Sequence, residues 1–434
     1  MKKVLIVSQN SLSLHANNGK TLTNIFQKWE SNSLAQLYFQ DEIPESVKFH
    51  KFYRIRDIDL LNKLFNPSKN CISSPIALDW VGDHYKERSF LFLKFVKIIK
   101  KIGLLKDIFR EFLYKIKFLY MNDLKRQVSY FNPEAIFLVM SDYKFTIDIA
   151  LKLSKDINVP LYIYVLDDRY MMIKNSLFIS CFKKGYLRSF ESAVNKSLNC
   201  FCIGELMADV YTGEFNKKFQ VLPNPINFNE VQFANRVYQN NKTFYRILYA
   251  GGLTLGRFDA LLDFAKVVKS TEKELDISIE FLVCSGDSLS NDQLLKIENL
   301  SINFLGRLNH SELNELYEKV DFVTHLESNK SEFMKLTFLS ISTKIPECLA
   351  KGICLIGYGP SQLSSMKLIY ENELGCYIDS NSNFKSQCEH MIQLIKSSKL
   401  CNEFVANGQQ YSLRNFSHEV VSEKILSIIN QVKI

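Results

Sequence analysis

The densest run of chemistry-bearing residues reads Ser340-Ile-Ser-Thr-Lys-Ile-Pro-Glu-Cys-Leu-Ala-Lys-Gly. It passes straight into the apolar stretch Ile353-Cys-Leu-Ile and then Gly357-Tyr-Gly-Pro. Ser342 or Thr343 can cap a short helix, Pro346 is tolerated in its first turn, and Gly352 can end it. The start of such a helix carries unpaired N–H groups, and Lys344 adds a full positive charge beside them, a combination that attracts phosphate. Glu347, one turn further in, is placed to accept hydrogen bonds from a sugar diol; a solvent-facing Glu in a short amphipathic helix is the plainer alternative.

Two other places invite an anion. In Tyr249-Ala-Gly-Gly-Leu, Gly251 and Gly252 permit close backbone approach at the end of an expected strand, and Arg257 opens the next helix. A guanidinium fork there suits a diphosphate, although an Arg capping a surface turn fits the same spacing. Asn18-Gly19-Lys20-Thr21 follows the first strand, but a phosphate-cradling loop needs G-x-x-x-x-G-K-[ST], and Leu14 stands where its first glycine should be. An ATPase or kinase of that type is excluded. The Gly19 turn keeps amides that can meet an anion or merely close the chain on itself.

Asp167 and Asp168 end an expected strand, which suits acceptor hydroxyl binding, base assistance or helix capping. His15, close to the first strand, could face a reacting group, whereas His325 is expected to pack against its strand neighbours. The chain has no H-E-x-x-H, no H-x-E…C-x-x-C and no two-His-one-carboxylate spacing, so no catalytic metal or other cofactor is expected.

The elements that must position these groups alternate strand and helix. Strand-like runs fall at Val4–Val7, 35–39, Ala135–Val139, Leu161–Val165, 199–203 and Phe219–Val221, with helices between them at 20–29 and 144–156. A stretch rich in Asn, Ser and Pro from Asn66 to Trp80 reads as a loop. After Leu222-Pro-Asn-Pro a second series begins, with strands at 247–250, 279–283, 302–304, 322–324, 353–356 and 376–378. The alternation predicts an α/β chain of two Rossmann-like units with parallel sheets, and ligands then bind beyond the carboxyl ends of the strands. Expected domains are 1–224, 225–415 and a C-terminal helical segment, 416–434, that packs back toward the first.

The 434 residues are 47% hydrophobic and 23% charged with only 16 Gly and 9 Pro, which excludes a disordered or collagen-like chain. The 10 Cys are scattered without C-x-x-C pairs, as befits a reducing cytoplasm. No uncharged apolar stretch reaches the roughly 18 residues that span a bilayer. The net charge of +8 is concentrated between Lys86 and Phe118, where ten Lys or Arg face three acids. Apolar residues there, Phe92 to Phe112, recur at helical spacing and predict a basic amphipathic helix broken near Gly103. Such a helix is a core-packed element with a solvated lysine face or one that lies on an anionic membrane. Nucleic acid is not an expected partner, because no aromatic-interleaved RNA-binding motif accompanies the charge.

The pattern S-x-S-T-K-I-P-E-x-L-A-x-G, an apolar strand and G-Y-G-P together resemble the donor-binding segment of nucleotide-sugar glycosyltransferases of the two-domain GT-B fold. The group most similar is the bacterial, glycogen-synthase-like set of retaining enzymes that build capsule, O-antigen and other surface polysaccharides, including lipopolysaccharide. Supporting matches are the Gly19 turn, Phe26-Gln-Lys-Trp29, the strand ending in Asp167-Asp168, Pro223-Asn-Pro225, Gly251-Gly252…Arg257 and Asp321-Phe-Val-Thr-His-Leu-Glu327. About residues 45–130 match nothing in the family.

The resemblance implies a nucleoside-diphosphate sugar as donor, with Arg257 and Lys344 on its pyrophosphate without a metal, Glu347 on its ribose, and Ser342, Thr343, Gly251 and Gly252 around it. Gly19 would let the first domain approach the phosphates. Family members carry two glutamates eight positions apart, but Leu339 stands eight before Glu347, and Glu327 is the candidate to take that role. Asp168, Glu327 and His15 are the candidate catalytic residues. The implied acceptor is a lipid-linked or other oligosaccharide, and segment 86–118 would hold a cytoplasmic enzyme at the inner membrane face. A nucleotide-sugar epimerase of the same fold and a non-catalytic membrane-docked scaffold are the alternative readings.

Overall fold

The computed structural model describes residues 1–13, 17–45, 49, 51–74, 103–176, 181–231, 233 and 236–431. His15 and the 86–102 part of the basic segment lie outside them. The chain divides into two compact units: Met1–Ile203 with Ala208–Leu222 and Ser422–Ile434, and Gly204–Met207 with Pro223–Val421.

In the first unit, short runs of bulky apolar residues form strands buried on both faces, as parallel sheets flanked by helices require. These are β1 (Val4–Val7), β2 (Leu34–Tyr38), β3 (Lys51–Arg54), β4 (Ala135–Val139), β5 (Leu161–Val165), β6 (Asn199–Cys202) and β7 (Phe219–Val221). Their order is β3-β2-β1-β4-β5-β6-β7, every pair parallel. All four residues of β1 are fully buried. Phe26 meets Phe137 edge-on at 5.1 Å and Trp29 at 5.0 Å, binding the start of the chain to the sheet.

Three details depart from the sequence expectation. The first helix runs Asn17–Ile25 rather than 20–29. The edge strand β3 was hidden by the charges in Lys51-Phe-Tyr-Arg54. Its Arg54 is buried and bonds Ser73 Oγ, while the Arg54 and Ser73 backbones pair antiparallel, so this part of the expected loop is packed. In the described part of the basic segment, the helix Gly103–Lys115, the buried face is Arg110, Leu113 and Tyr114, and Phe112 is exposed. Arg110 ion-pairs with Asp57 at 3.0 Å and stacks over Tyr143, which removes it from any membrane-facing set of cations.

The second unit repeats the arrangement with β8 (Phe244–Ala250), β9 (Ser278–Cys284), β10 (Ile302–Gly306), β11 (Phe322–Leu326), β12 (Cys354–Gly359) and β13 (Gly375–Asp379), ordered β10-β9-β8-β11-β12-β13 and wholly parallel. Phe264, on the helix Arg257–Leu275, packs edge-on against Phe281 at 5.6 Å and beside Tyr358, anchoring that helix to the sheet. Burial of one such ring stabilises by about 1.5–3 kcal/mol. The strand order reverses between β8 and β11, and at such a switch the carboxyl ends open a crevice.

Candidate donor-binding site

At that crevice lies a cavity of about 320 Å³. β8 delivers Tyr249, Ala250, Gly251 and Gly252 to one wall, β11 delivers Thr324, His325 and Glu327 to the floor, and the turn before the helix Lys344–Lys351 closes the other side.

The glycine turn is clamped. The Tyr249 hydroxyl donates to the Gly252 carbonyl at 2.5 Å, and the Asp287 carboxylate accepts the Leu253 amide at 2.5 Å. A Cβ on Gly251 would lie 3.1 Å from the Tyr249 hydroxyl, so a side chain there would press on the clamp. Gly256, at φ +72°, takes the left-handed conformation immediately before Arg257; a Cβ would meet Phe333 Cδ2 at 2.4 Å and Ser328 Oγ at 2.5 Å. Only glycine fits, and it fixes where Arg257 emerges.

Arg257 lines the cavity and donates from Nη2 to Glu327 Oε1 at 2.9 Å. Glu327 is buried at the end of β11, its amide donating to the Tyr358 carbonyl. Burial pushes its carboxyl up, but His325 and Arg257 outweigh burial and hold it below its ordinary value. His325 Nε2 stands 3.2 Å from the same Glu327 oxygen without hydrogen-bond geometry, and Glu327 Oε2 has no hydrogen-bond partner among the described residues. As expected, His325 is packed into the sheet, opposite Gly357.

At the other wall, Ser342 Oγ accepts the Lys344 amide at 3.3 Å while Thr343 occupies the cap position without a side-chain bond. Gly352 ends the helix in the left-handed conformation. Lys344 lines the cavity, and its Nζ pairs with Glu347 Oε2 at 3.0 Å. Burial works against the charge on Lys344, and Glu347 more than restores it, raising its pKa. Glu347 itself is not part of the cavity wall; it stands behind Lys344. A second hollow of about 160 Å³, bounded by Gly286, Gly306, Arg307 and Leu308, shares Ala250, Gly251 and Lys344 with the first.

The sequence thus points to Gly251, Gly252, Arg257, Glu327, Ser342, Thr343 and Lys344, and the fold brings them to one cavity. Gly19 and Asp168 belong to the first unit and are described within it. Gly19 lies inside the first turn of the helix Asn17–Ile25, and a Cβ would sit 2.4 Å from the Ser11 carbonyl oxygen and 2.6 Å from the Ser13 amide. The backbone of its own loop packs against Gly19 where a side chain would otherwise stand. Asp168 caps the helix Arg169–Lys174: Oδ1 accepts both the Met171 amide at 3.1 Å and the Tyr211 hydroxyl at 2.7 Å. Burial raises its pKa. Of the roles open to it in the sequence, capping is the one this geometry displays.

Sequence reasoning missed Gly256 and Asp287. Gly256 had a signal, a Gly-Arg pair opening a helix after a strand, but the Asp287 contact spans 34 residues and leaves no local trace. Among the described residues no group of three or more His, Cys, Asp or Glu is placed to hold a metal ion, and no helix is long and apolar enough to cross a membrane.

Two parallel, helix-flanked Rossmann-like sheets, with the cavity at the switch point of the second, constitute the GT-B fold. Solved structures of this class align over essentially the whole chain. HepE of Anabaena, in complex with UDP, is 12% identical with a TM-score of 0.60, covering 99% of this chain and 100% of its own. WaaG, a glycosyltransferase involved in lipopolysaccharide biosynthesis, is 11% identical with a TM-score of 0.57 over 99% and 100%. TarM of S. aureus, determined with UDP and α-GlcNAc-glycerol, is 12% identical with a TM-score of 0.56 over 99% and 100%. At such identities the likeness is one of fold. No protein-family model matches the chain, and no curated protein matches it in sequence.

Proposed function

We propose that this chain is a glycosyltransferase that moves a sugar from a nucleoside-diphosphate donor to a hydroxyl of a glycan in surface-polysaccharide synthesis. The observation that carries the reading is that Arg257 and Lys344, from separate elements, line one cavity with a clamped glycine turn and a helix start. In the reaction the bond from the anomeric carbon to the phosphate oxygen breaks and its electron pair leaves with the nucleoside diphosphate. The acceptor oxygen bonds to that carbon, and its proton passes to an oxygen of the departing diphosphate. Arg257 and Lys344 supply the positive charge that stabilises the leaving diphosphate, which is the largest electrostatic demand of the step. The adjoining hollow at Gly286 and Arg307 takes the nucleoside end of the donor.

UDP in the HepE and TarM structures supports a nucleotide donor. The role of WaaG supports a surface glycan as product. A metal-independent, retaining course and a lipid-linked acceptor follow from the family resemblance. The excess of cations in 86–118 supports placement at an anionic inner-membrane surface, with Lys115 exposed on its described portion.

The test is calorimetric titration of UDP, GDP and ADP into the wild type, Arg257→Ala and Lys344→Ala, followed by product analysis with the matching sugar donor. Binding that depends on both cations, with transfer to an added glycan, is the expected result. No nucleotide affinity would overturn the reading, and an interconverted sugar from donor alone would replace it with epimerisation.

A further inference from the structure

The surroundings of Glu327 are more constrained than a surface ion pair requires. Its side chain is only 4% exposed, Oε1 receives Arg257 Nη2, and Oε2 is buried with no hydrogen-bond partner among the described residues. Two glycines from other elements pack closely on it and its neighbour: a Cβ on Gly359 would come within 3.0 Å of Glu327 Cβ, and one on Gly256 within 2.5 Å of Ser328 Oγ. A carboxylate left with one bare buried oxygen is costly, and it is tolerated where function needs the charge.

Glu327 and Arg257 both border the cavity, but the Glu327 side chain is 4% exposed against 21% for Arg257, so the guanidinium offers a ligand the larger surface. Glu327 takes one of its N–H groups, at Nη2; Nε and Nη1 have no partner among the described residues. The residue offered by the sequence as a sugar-contacting carboxylate is therefore built to act through the guanidinium.

We propose that Glu327 is a positioning residue with two effects on the diphosphate end of the donor, a proposal that rests on the glycosyltransferase reading. It fixes the Arg257 fork so that the remaining donors aim at phosphate oxygens. Its negative charge, one guanidinium away from the bound anion, also weakens the hold on the leaving nucleoside diphosphate, so that product departs after transfer.

The two effects separate by substitution. Glu327→Gln keeps an oxygen that can accept from Arg257 and removes only the charge. The nucleoside diphosphate should then bind about tenfold tighter, as removal of a nearby like charge predicts, while kcat falls as release slows. Glu327→Ala removes the anchor as well, and binding should weaken about tenfold. Opposite signs from Gln and Ala are what a merely structural role would not produce.

Melting temperatures confirm that each variant is folded. If Glu327→Ala does not fold, Arg257→Lys, which keeps the charge without the fork, serves as the second arm and should bind about tenfold more weakly. Gln and Ala changes of the same sign, an unchanged Kd and kcat in Glu327→Gln, or, in the second arm, an unchanged affinity in Arg257→Lys overturn the inference. When the wild type binds UDP, GDP or ADP through Arg257, those results leave the glycosyltransferase reading standing. When it binds none of the three, both fall.

Discussion

Lys344 and Glu347 form an ion pair 3.0 Å long on one turn of helix, with both side chains partly exposed, so the pair is cheap to open. A diphosphate reaching Lys344 would compete with Glu347 for its ammonium group. Lys344→Ala and Glu347→Ala should each lower transfer by on the order of 10²-fold; near-normal turnover in both would remove the pair from the site. Glu327 titrates differently. Its carboxyl lies below its ordinary value in the folded chain, so its stabilising contribution is full above pH 4.5 and is lost as the pH falls through the depressed value. Melting temperatures of the wild type and Glu327→Gln should therefore draw together below pH 4.5, and a constant difference down to strong acid would show that Glu327 carries no such linkage. At this scale the sequence was informative where a residue type and a turn signal coincide, as at Gly251-Gly252 and Ser342-Thr343-Lys344. It was silent at Asp287, because that contact depends on which backbone amide lies opposite, 34 residues away.

Among elements, the turn Gly251–Gly256 and the helix it launches are the most sensitive to backbone chemistry. Gly256→Ala must accept a left-handed φ and a collision with Phe333 and Ser328, and should destabilise the second unit by about 1–3 kcal/mol in denaturant titration. An unchanged midpoint would mean that the turn relaxes freely. The helix Gly103–Lys115 shows the limit of pattern reading. Counting every cation as solvated rotated its expected face, whereas Arg110 buries its stem beside Tyr143 and Phe145 and keeps its charge on Asp57. Arg110→Ala should cost the first unit about 3 kcal/mol, since it strands Asp57, while Lys115→Gln should leave the melting temperature within a degree or so. All six strands of the second sheet were legible, with ends off by up to three residues, because buried parallel strands are continuous apolar runs. β3 was not, because an edge strand tolerates charge.

At the scale of the whole chain, alternation of strand and helix was enough to name two Rossmann-like units, since few other architectures bury so many short apolar runs on both faces. No pattern marks the point within the last helix, His418–Gln431, where the chain changes unit, between Val421 and Ser422. Ser422 is fully buried and accepts the Lys28 amide, Ile425 and Ile429 are fully buried, and Lys424 donates to the Val221 carbonyl. Ending the chain at residue 421 should therefore lower the unfolding temperature of the first unit, read from tryptophan fluorescence, since Trp29 and Trp80, the two tryptophans of the sequence, both fall in that unit. Equal melting curves would show that the segment is dispensable. The same arrangement sets a rule for anyone recombining chains of this fold. A second unit transplanted as a simple C-terminal cassette from Pro223 onward would bring a foreign strap and strip the host of its own; a workable chimera must exchange an internal insert, 223–421, and leave the native tail in place.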